Sequence, residues 1–327
     1  MKPFALIHAK TLSEAARESA PADAELKAGG VDLIDRMKEG LDSPKTLVSL
    51  SRVPGLDVIE TGPPATVGAM ATLAKIAAHP GLRKHYPALA EAAAGAATPQ
   101  IRNMATLGGN LCQRPRCWYY RLEEFDCRKK GGGDCYALEG ENRFHAIFDT
   151  DLSCCCVHPS ATGTALVTYG ATLDVVSPKG RRSLPIEEFF YRPTEDATRE
   201  NNLGPGDVIQ AVRLPVQPAG SRSVYRKLKE KESFDWPIVE TCVRLSIAGG
   251  AVRDARVVFG SVASTPHRAK AAEAVLVGAA PSDALARKAA EAAVADARPL
   301  SQTGYKVRLA RVELERALKE AFHGAEA

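Results

Sequence analysis

The stretch KAGGVDLIDRMK, residues 27–38, sets two glycines directly ahead of a helical pattern. Gly29 and Gly30 would let backbone N–H groups turn toward an anion, with a helix N-terminus behind them. The rival reading is a plain turn with Asp32 as the N-cap. A second pair, Gly108-Gly109, ends the stretch ATPQIRNMATLGGNL, residues 97–111, and again follows polar residues. Two such loops in one chain point to a ligand carrying a diphosphate. The spacing Gly-x-Gly-x-x-Gly is absent, so a Rossmann-type dinucleotide site is not supported.

The bulk composition narrows the class. A chain of 327 residues suggests about two domains and can bury a core without disulfide staples. Its net charge of +4 is not concentrated in a basic block with interleaved aromatics, which argues against nucleic acid. No apolar run approaches the ~20 residues of a membrane span. The N-terminus MKPFALIHAKTLSEAARESA leads from a short apolar patch into an acidic helical pattern, unlike a signal peptide. A cytoplasmic location is the default expectation.

Three regions differ in texture. Residues 1–60 read as short helices and strands, ending in TLVSLSRVPGLDVIE, two strand-like pieces around a Pro-Gly turn. Residues 61–218 open with TGPPATVGAMATLAKIAAHP, where Pro63, Pro64 and Thr66 suit a loop entering a helix. The same region predicts strands in TALVTYGATLDVVSP and GDVIQAVRLP. Residues 219–327 carry a hairpin signal at Gly249-Gly250 and two Ala-rich helical patterns. In the last of these, Val307, Leu314, Leu318 and Phe322 recur at helical spacing. The texture is α+β.

Seven of the eight cysteines lie between Cys112 and Cys156, in CWYYRLEEFDCRKKGGGDCYALEG from Cys117 and DTDLSCCCVHPS to Ser160. In a reduced compartment this clustering speaks for metal or redox chemistry rather than disulfides. Residues 126–142 read as an irregular insertion. Four thiolates suit tetrahedral zinc, but no Cys-x-x-Cys knuckle occurs. An iron–sulfur cluster needs four thiolates in a pocket rich in backbone N–H groups, which a Gly-rich loop supplies. Unligated thiols are the third reading. Adjacent side chains point apart, so of Cys154, Cys155 and Cys156 one is expected to bind while two pack. Cys112 and Cys242 read as buried, unreactive thiols. His158 reads as structural beside Pro159 rather than as a base. RLEEFDCRKK is explained by a solvated face. No nucleophile–base constellation appears.

Together these stretches resemble the FAD-binding medium subunit of the molybdenum hydroxylase (xanthine dehydrogenase) family. AGGVDLIDRMK, TPQIRNMATLGGNL, HPS, GDVIQAVRLP, YRKLKEKESFDWPIV and GSVASTPHRAKAAE occur in family order over nearly the whole chain. The resemblance implies an α+β chain with a vanillyl-alcohol oxidase (PCMH)-type FAD-binding fold and a small α+β C-terminal domain of the CO dehydrogenase flavoprotein type. The expected domains are an N-terminal FAD-binding subdomain over 1–60, a second over 61–218, and the C-terminal domain over 219–327. The second subdomain would carry a [4Fe–4S]-binding insertion at about 112–156.

Carried over, Lys27, Ala28, Gly29, Gly30, Val31, Asp32 and Leu33 would form the pyrophosphate loop. Thr106, Gly108, Gly109 and Asn110 would form the second flavin loop. Arg116 would face the isoalloxazine, and Ile209 and Lys227 would pack on or bond to the flavin. Two groups of relatives have the insertion, periplasmic-type aldehyde oxidoreductases and 4-hydroxybenzoyl-CoA reductases, and in both it binds an extra [4Fe–4S] cluster. By motif position the resemblance makes Cys117, Cys127, Cys135 and Cys154 the ligands, with Cys155 and Cys156 as packing residues. Val31 stands where the family often has Thr. Ala161 stands where Asp usually follows HPS and makes a polar flavin contact.

The function so implied is electron transfer between [2Fe–2S] clusters on a small subunit and an external acceptor. Substrate would be oxidised at a molybdenum cofactor on a large subunit, and SFDWPIV leans toward aldehyde oxidation. The alternatives are the beta subunit of a 4-hydroxybenzoyl-CoA reductase-like enzyme and, from another class, a zinc-binding non-catalytic scaffold. No nucleic acid or membrane partner is expected. Co-export with a partner carrying a twin-arginine signal would take the chain, folded, to the periplasm.

Overall fold

The computed structural model describes residues 1–150, 153–194 and 196–323. It begins with β1 (Ala5–His8), α1 (Leu12–Glu18), β2 (Ala24–Lys27), α2 (Val31–Lys38) and β3 (Thr46–Ser49). The three strands are parallel in the order β1-β3-β2, with β3 central. Parallel neighbours require crossovers, which the two helices provide. Thr11 caps α1 by accepting from the Glu14 N–H at 3.1 Å, and Ala15 and Ala16 bury its inner face.

A second sheet follows, built of β4 (Ile59–Glu60), β5 (Ala65–Gly68), β6 (Thr172–Ser177), β7 (Gly180–Pro185) and β8 (Val208–Leu214). Its order is β4-β5-β8-β6-β7, antiparallel throughout. Between β5 and β6 the chain forms α3 (Leu73–Ala78), α4 (Pro80–His85), α5 (Pro87–Ala94), α6 (Pro99–Met104), α7 (Leu107–Leu111), α8 (Trp118–Arg121) and α9 (Ala161–Tyr169). The short α10 (Ile186–Phe189) follows β7. Residues after Pro64 enter strand β5, not a helix; the helix waits for the Thr72 cap, whose side chain accepts from the Lys75 N–H.

The run TALVTY is helical, against the strand expectation. Ser160 caps α9 by accepting from the Gly163 N–H at 2.9 Å, and Gly170 closes it in the left-handed region. Thr168 satisfies its hydroxyl on the Thr164 carbonyl within the helix. Every residue of α9 is buried, so no polar face was there to reveal the helical period. Packing has overridden the β-branched propensity.

The last unit holds β9 (Ser221–Leu228), β10 (Val239–Ala248), β11 (Ala251–Gly260) and β12 (His267–Arg268), antiparallel in the order β12-β11-β10-β9. The β10–β11 hairpin turns at Gly249-Gly250 as expected. Helices α11 (Lys270–Leu276), α12 (Asp283–Ala292) and α13 (Gly304–His323) cover the sheet, with Leu314, Leu318 and Phe322 of α13 buried in one core. Ile147 and Phe148, between Cys135 and Cys154 in the cysteine segment, enter that same core. No described helix is long and apolar enough to cross a membrane.

Candidate functional site

A cleft of about 670 Å³ opens where the three units meet. The β2–α2 turn brings Ala28 to Leu33 to one wall, and the approach to α7 brings Thr106, Gly109 and Asn110 to another. Arg116 and Lys227 also line it. Of the remaining sequence-predicted residues, Lys27 stands behind the first loop with its side chain against Gly30. Gly108 packs on Ala69, and Ile209 is buried in the core with β8. These three do not line the cleft.

The two glycines of the first loop have distinct reasons. Gly30 takes φ +80° as the N-cap of α2 and offers no side chain to the first-turn N–H groups, leaving them for an anion in the cleft. At Gly29 a Cβ would collide with the Met104 carbonyl oxygen. The first loop therefore touches the second backbone to backbone. In the second loop Thr106 accepts from the Gly109 N–H at 3.2 Å. The Asn110 side-chain oxygen is held by Ser160 and Thr162 hydroxyls at 2.7 and 2.6 Å. A backbone cradle at a helix N-terminus beside a polar floor has the donor chemistry that a dinucleotide pyrophosphate needs.

Asp32 is not the N-cap. It lies inside α2, where its carboxylate meets Arg36 at 3.1 Å and Arg116 and Arg121 at 2.7 Å each. It also accepts from the Arg114 N–H at 3.0 Å. Burial opposes its charge, but Arg116, the Arg114 N–H and Arg121 outweigh it and hold the carboxyl below its ordinary value. Asp32 thus ties the segment entering the cysteine region to α2. The Arg116 guanidinium lies 4.9 Å from the centre of the Trp236 ring.

The folded Asp32 carboxyl binds its proton less tightly than the unfolded chain's does. Its contribution is complete above the ordinary carboxylate range and is lost as pH falls through the lowered folded value. Asp32→Asn should cost about 3 kcal/mol at pH 7, because three guanidinium groups lose their shared partner. The difference from wild type should shrink on acidification. Urea denaturation at two pH values measures it, and a pH-independent difference would refute the assignment.

Glu240 is a cleft residue that the motif reading missed. It is buried, sits opposite Lys227 in the β9–β10 ladder, and accepts from the Tyr225 hydroxyl at 2.7 Å. Burial pushes its carboxyl up. The available signal was a lone acid in the apolar strand IVETCV. Lys227 donates to the Gly95 carbonyl at 2.8 Å, and burial lowers its ammonium. Ala161, at the start of α9, also lines the cleft.

The cysteine segment folds beside this cleft as loops around a small void. Cys117, Cys127, Cys135, Cys154 and Cys156 line it. Cys155 stands 3.7 Å sulfur to sulfur from Cys135. Hydrogen bonds from the Cys154 and Cys155 thiols hold the Cys135 thiol far below the usual thiol range. Lys129 also lines the void, buried, and pairs with Glu200 at 3.2 Å. Burial opposes its charge, but Cys156 and Glu200 sustain it. Glu200 in turn lines the cleft and pairs with Arg114 at 3.0 Å. Among the described residues no three His, Cys, Asp or Glu side chains are placed to share one metal ion.

Outside the void, Cys242 and Cys112 are held up to about 12 by burial, as inert thiols should be. His158 is buried edge-on to Phe190 and is pushed down to about 3 by burial, in keeping with a structural role.

Comparison with known proteins agrees with this architecture. The family described as the FAD binding domain in molybdopterin dehydrogenase matches residues 2–217. The CO dehydrogenase flavoprotein C-terminal domain matches residues 223–321. The aldehyde oxidoreductase FAD-binding subunit PaoB of Escherichia coli is 34% identical, over 84% of this chain and 86% of its own. The carbon monoxide dehydrogenase medium chain of Hydrogenophaga pseudoflava is 27% identical, over 92% and 90%. The solved carbon monoxide dehydrogenase of that organism superposes with a TM-score of 0.78 at 27% identity, over 98% of both chains. Quinoline 2-oxidoreductase from Pseudomonas putida superposes at 0.77 with 25% identity, over 99% and 98%. With its two glycine loops lining one cleft and both family domains in sequence, the chain belongs to the FAD-binding medium subunits of the molybdenum hydroxylase family.

Proposed function

We propose that this chain is the FAD- and [4Fe–4S]-carrying electron-transfer subunit of a molybdenum-containing aldehyde oxidoreductase. The observation that carries the cluster is the set of cysteines from four separate segments around one void beside the flavin cleft. Thiolates of a cluster each bind a different iron, so they stand around a space, whereas zinc ligands converge on one point. Cys117, Cys127, Cys135 and Cys154 would hold the cluster, and buried Lys129 would offset part of its negative charge. The aldehyde class rests on the 34% identity to the E. coli aldehyde oxidoreductase subunit.

When bound, FAD supplies the redox chemistry linking iron–sulfur clusters on a small partner subunit to an external acceptor, while a large molybdenum subunit handles the substrate. The chain's own residues bind and orient. The β2–α2 turn would offer backbone N–H groups to the pyrophosphate, while the 106–110 segment, whose N–H groups from Leu107 to Asn110 are bonded within the fold, lines the cleft through Thr106, Gly109 and Asn110. Asn110, fixed by Ser160 and Thr162, presents its amide to the cleft. The Arg116 guanidinium stacks on the Trp236 ring, and the exposed Phe234 and Trp236 line the cleft. The test is anaerobic purification with assays for flavin, iron and acid-labile sulfide. FAD with about four irons and four sulfides per chain is the expected content of a [4Fe–4S] site. A colourless chain containing zinc would contradict it.

A further inference from the structure

We propose that His145 is a positioning residue of the cysteine site, donating an Nε2–H hydrogen bond to the Cys117 sulfur and so raising the reduction potential of the cluster. This rests on the cluster reading above. The Nε2 atom lies 3.2 Å from Cys117 Sγ, and His145 lines the same void as the cysteines. The ring is buried and confined by edge-on contact with Trp118 at 5.1 Å and by Tyr119 at 6.4 Å. Its Nδ1 is buried with no partner among the described residues.

These facts fix the tautomer. A ligating Cys117 is a thiolate and can only accept. The proton therefore belongs on Nε2, toward the sulfur, where it makes a hydrogen bond that a proton on Nδ1 would forfeit.

The backbone of His145 is held as firmly as its ring. Its N–H donates to the Asn142 carbonyl at 2.8 Å. Its carbonyl accepts at 2.9 Å from the buried Lys306 of α13, which also binds the carbonyls of Phe144 and Ser261. Asn142 is itself tied to the C-terminal unit through Ser301 and Gln302, and Ile147 and Phe148 are sunk in that unit's core. The C-terminal unit thus sets where the imidazole stands against the sulfur. An N–H···S bond withdraws charge from the thiolate and favours the added electron, so it shifts a cluster's potential upward.

The test uses the full chain, purified anaerobically with its iron. Redox titration followed by electron paramagnetic resonance compares wild type with His145→Phe, which keeps a ring but has no donor, and His145→Gln, which restores an N–H. Iron content should be equal in all three. The potential should fall in His145→Phe and recover toward wild type in His145→Gln. An unchanged potential in His145→Phe with full iron would overturn the inference and leave the cluster reading standing. A wild-type chain without iron would overturn the cluster reading itself. Where His145→Phe loses iron, wild type carrying ¹⁵N-labelled histidine decides: a histidine nitrogen hyperfine-coupled to the reduced cluster is expected, and its absence overturns the proposal.

Discussion

Gly29→Ala should purify with little or no FAD. The added Cβ would collide with the Met104 carbonyl oxygen, and backbone cannot swing aside as a flexible side chain would. The two loops must then part, and the cradle loses its shape. Gly30→Val should act by a different route. A β-branched residue at φ +80° is strained, and its side chain would press on Lys27. We expect FAD affinity to fall by at least about a hundredfold in each, roughly 2.7 kcal/mol. Far-UV circular dichroism should stay close to wild type, because neither residue lies in the cores of the second and third units. Full flavin content in both variants would place the pyrophosphate elsewhere.

The second large effect concerns iron. Cys154→Ser should strip the proposed cluster, while Cys155→Ser and Cys156→Ser should each retain about four irons per chain. The contrast is demanding, because Cys156 lines the void beside Cys154 and Cys155 lies against Cys135. Proximity alone would therefore predict similar losses from all three. Equal iron loss across the triplet, or full iron in Cys154→Ser, would refute the assignment of Cys154 as the fourth ligand.

How legible these features were depended on the range of the forces behind them. Gly30 and the Gly108-Gly109 pair sit in local elements that the sequence marked, whereas Gly29 is required by its close approach to the Met104 carbonyl, 75 residues away; the structure brings Gly29, Gly30 and Gly109 to one cleft. The hairpin at Gly249-Gly250 was equally local. The TALVTY helix was not, because its form is decided by burial on all sides. Asp32 looked like a helix cap until Arg116 and Arg121, more than eighty residues away, were seen to converge on it. Glu240 and His145 gave no motif. Their roles come from a strand partner and from a sulfur 28 residues distant. The cysteine spacing left a cluster, zinc and unligated thiols open, since that choice turns on how the sulfurs stand around the void.

The central claim is that this chain carries electrons for a substrate oxidised elsewhere. The most direct measurement mixes an aromatic aldehyde with the purified chain under anaerobic conditions and follows the flavin absorption. The account predicts no bleaching by aldehyde, prompt bleaching by dithionite, and aldehyde-dependent bleaching only after the large and small subunits are added. Bleaching by aldehyde in the chain alone, at the rate of the full complex, would contradict it and make the flavin the site of substrate chemistry.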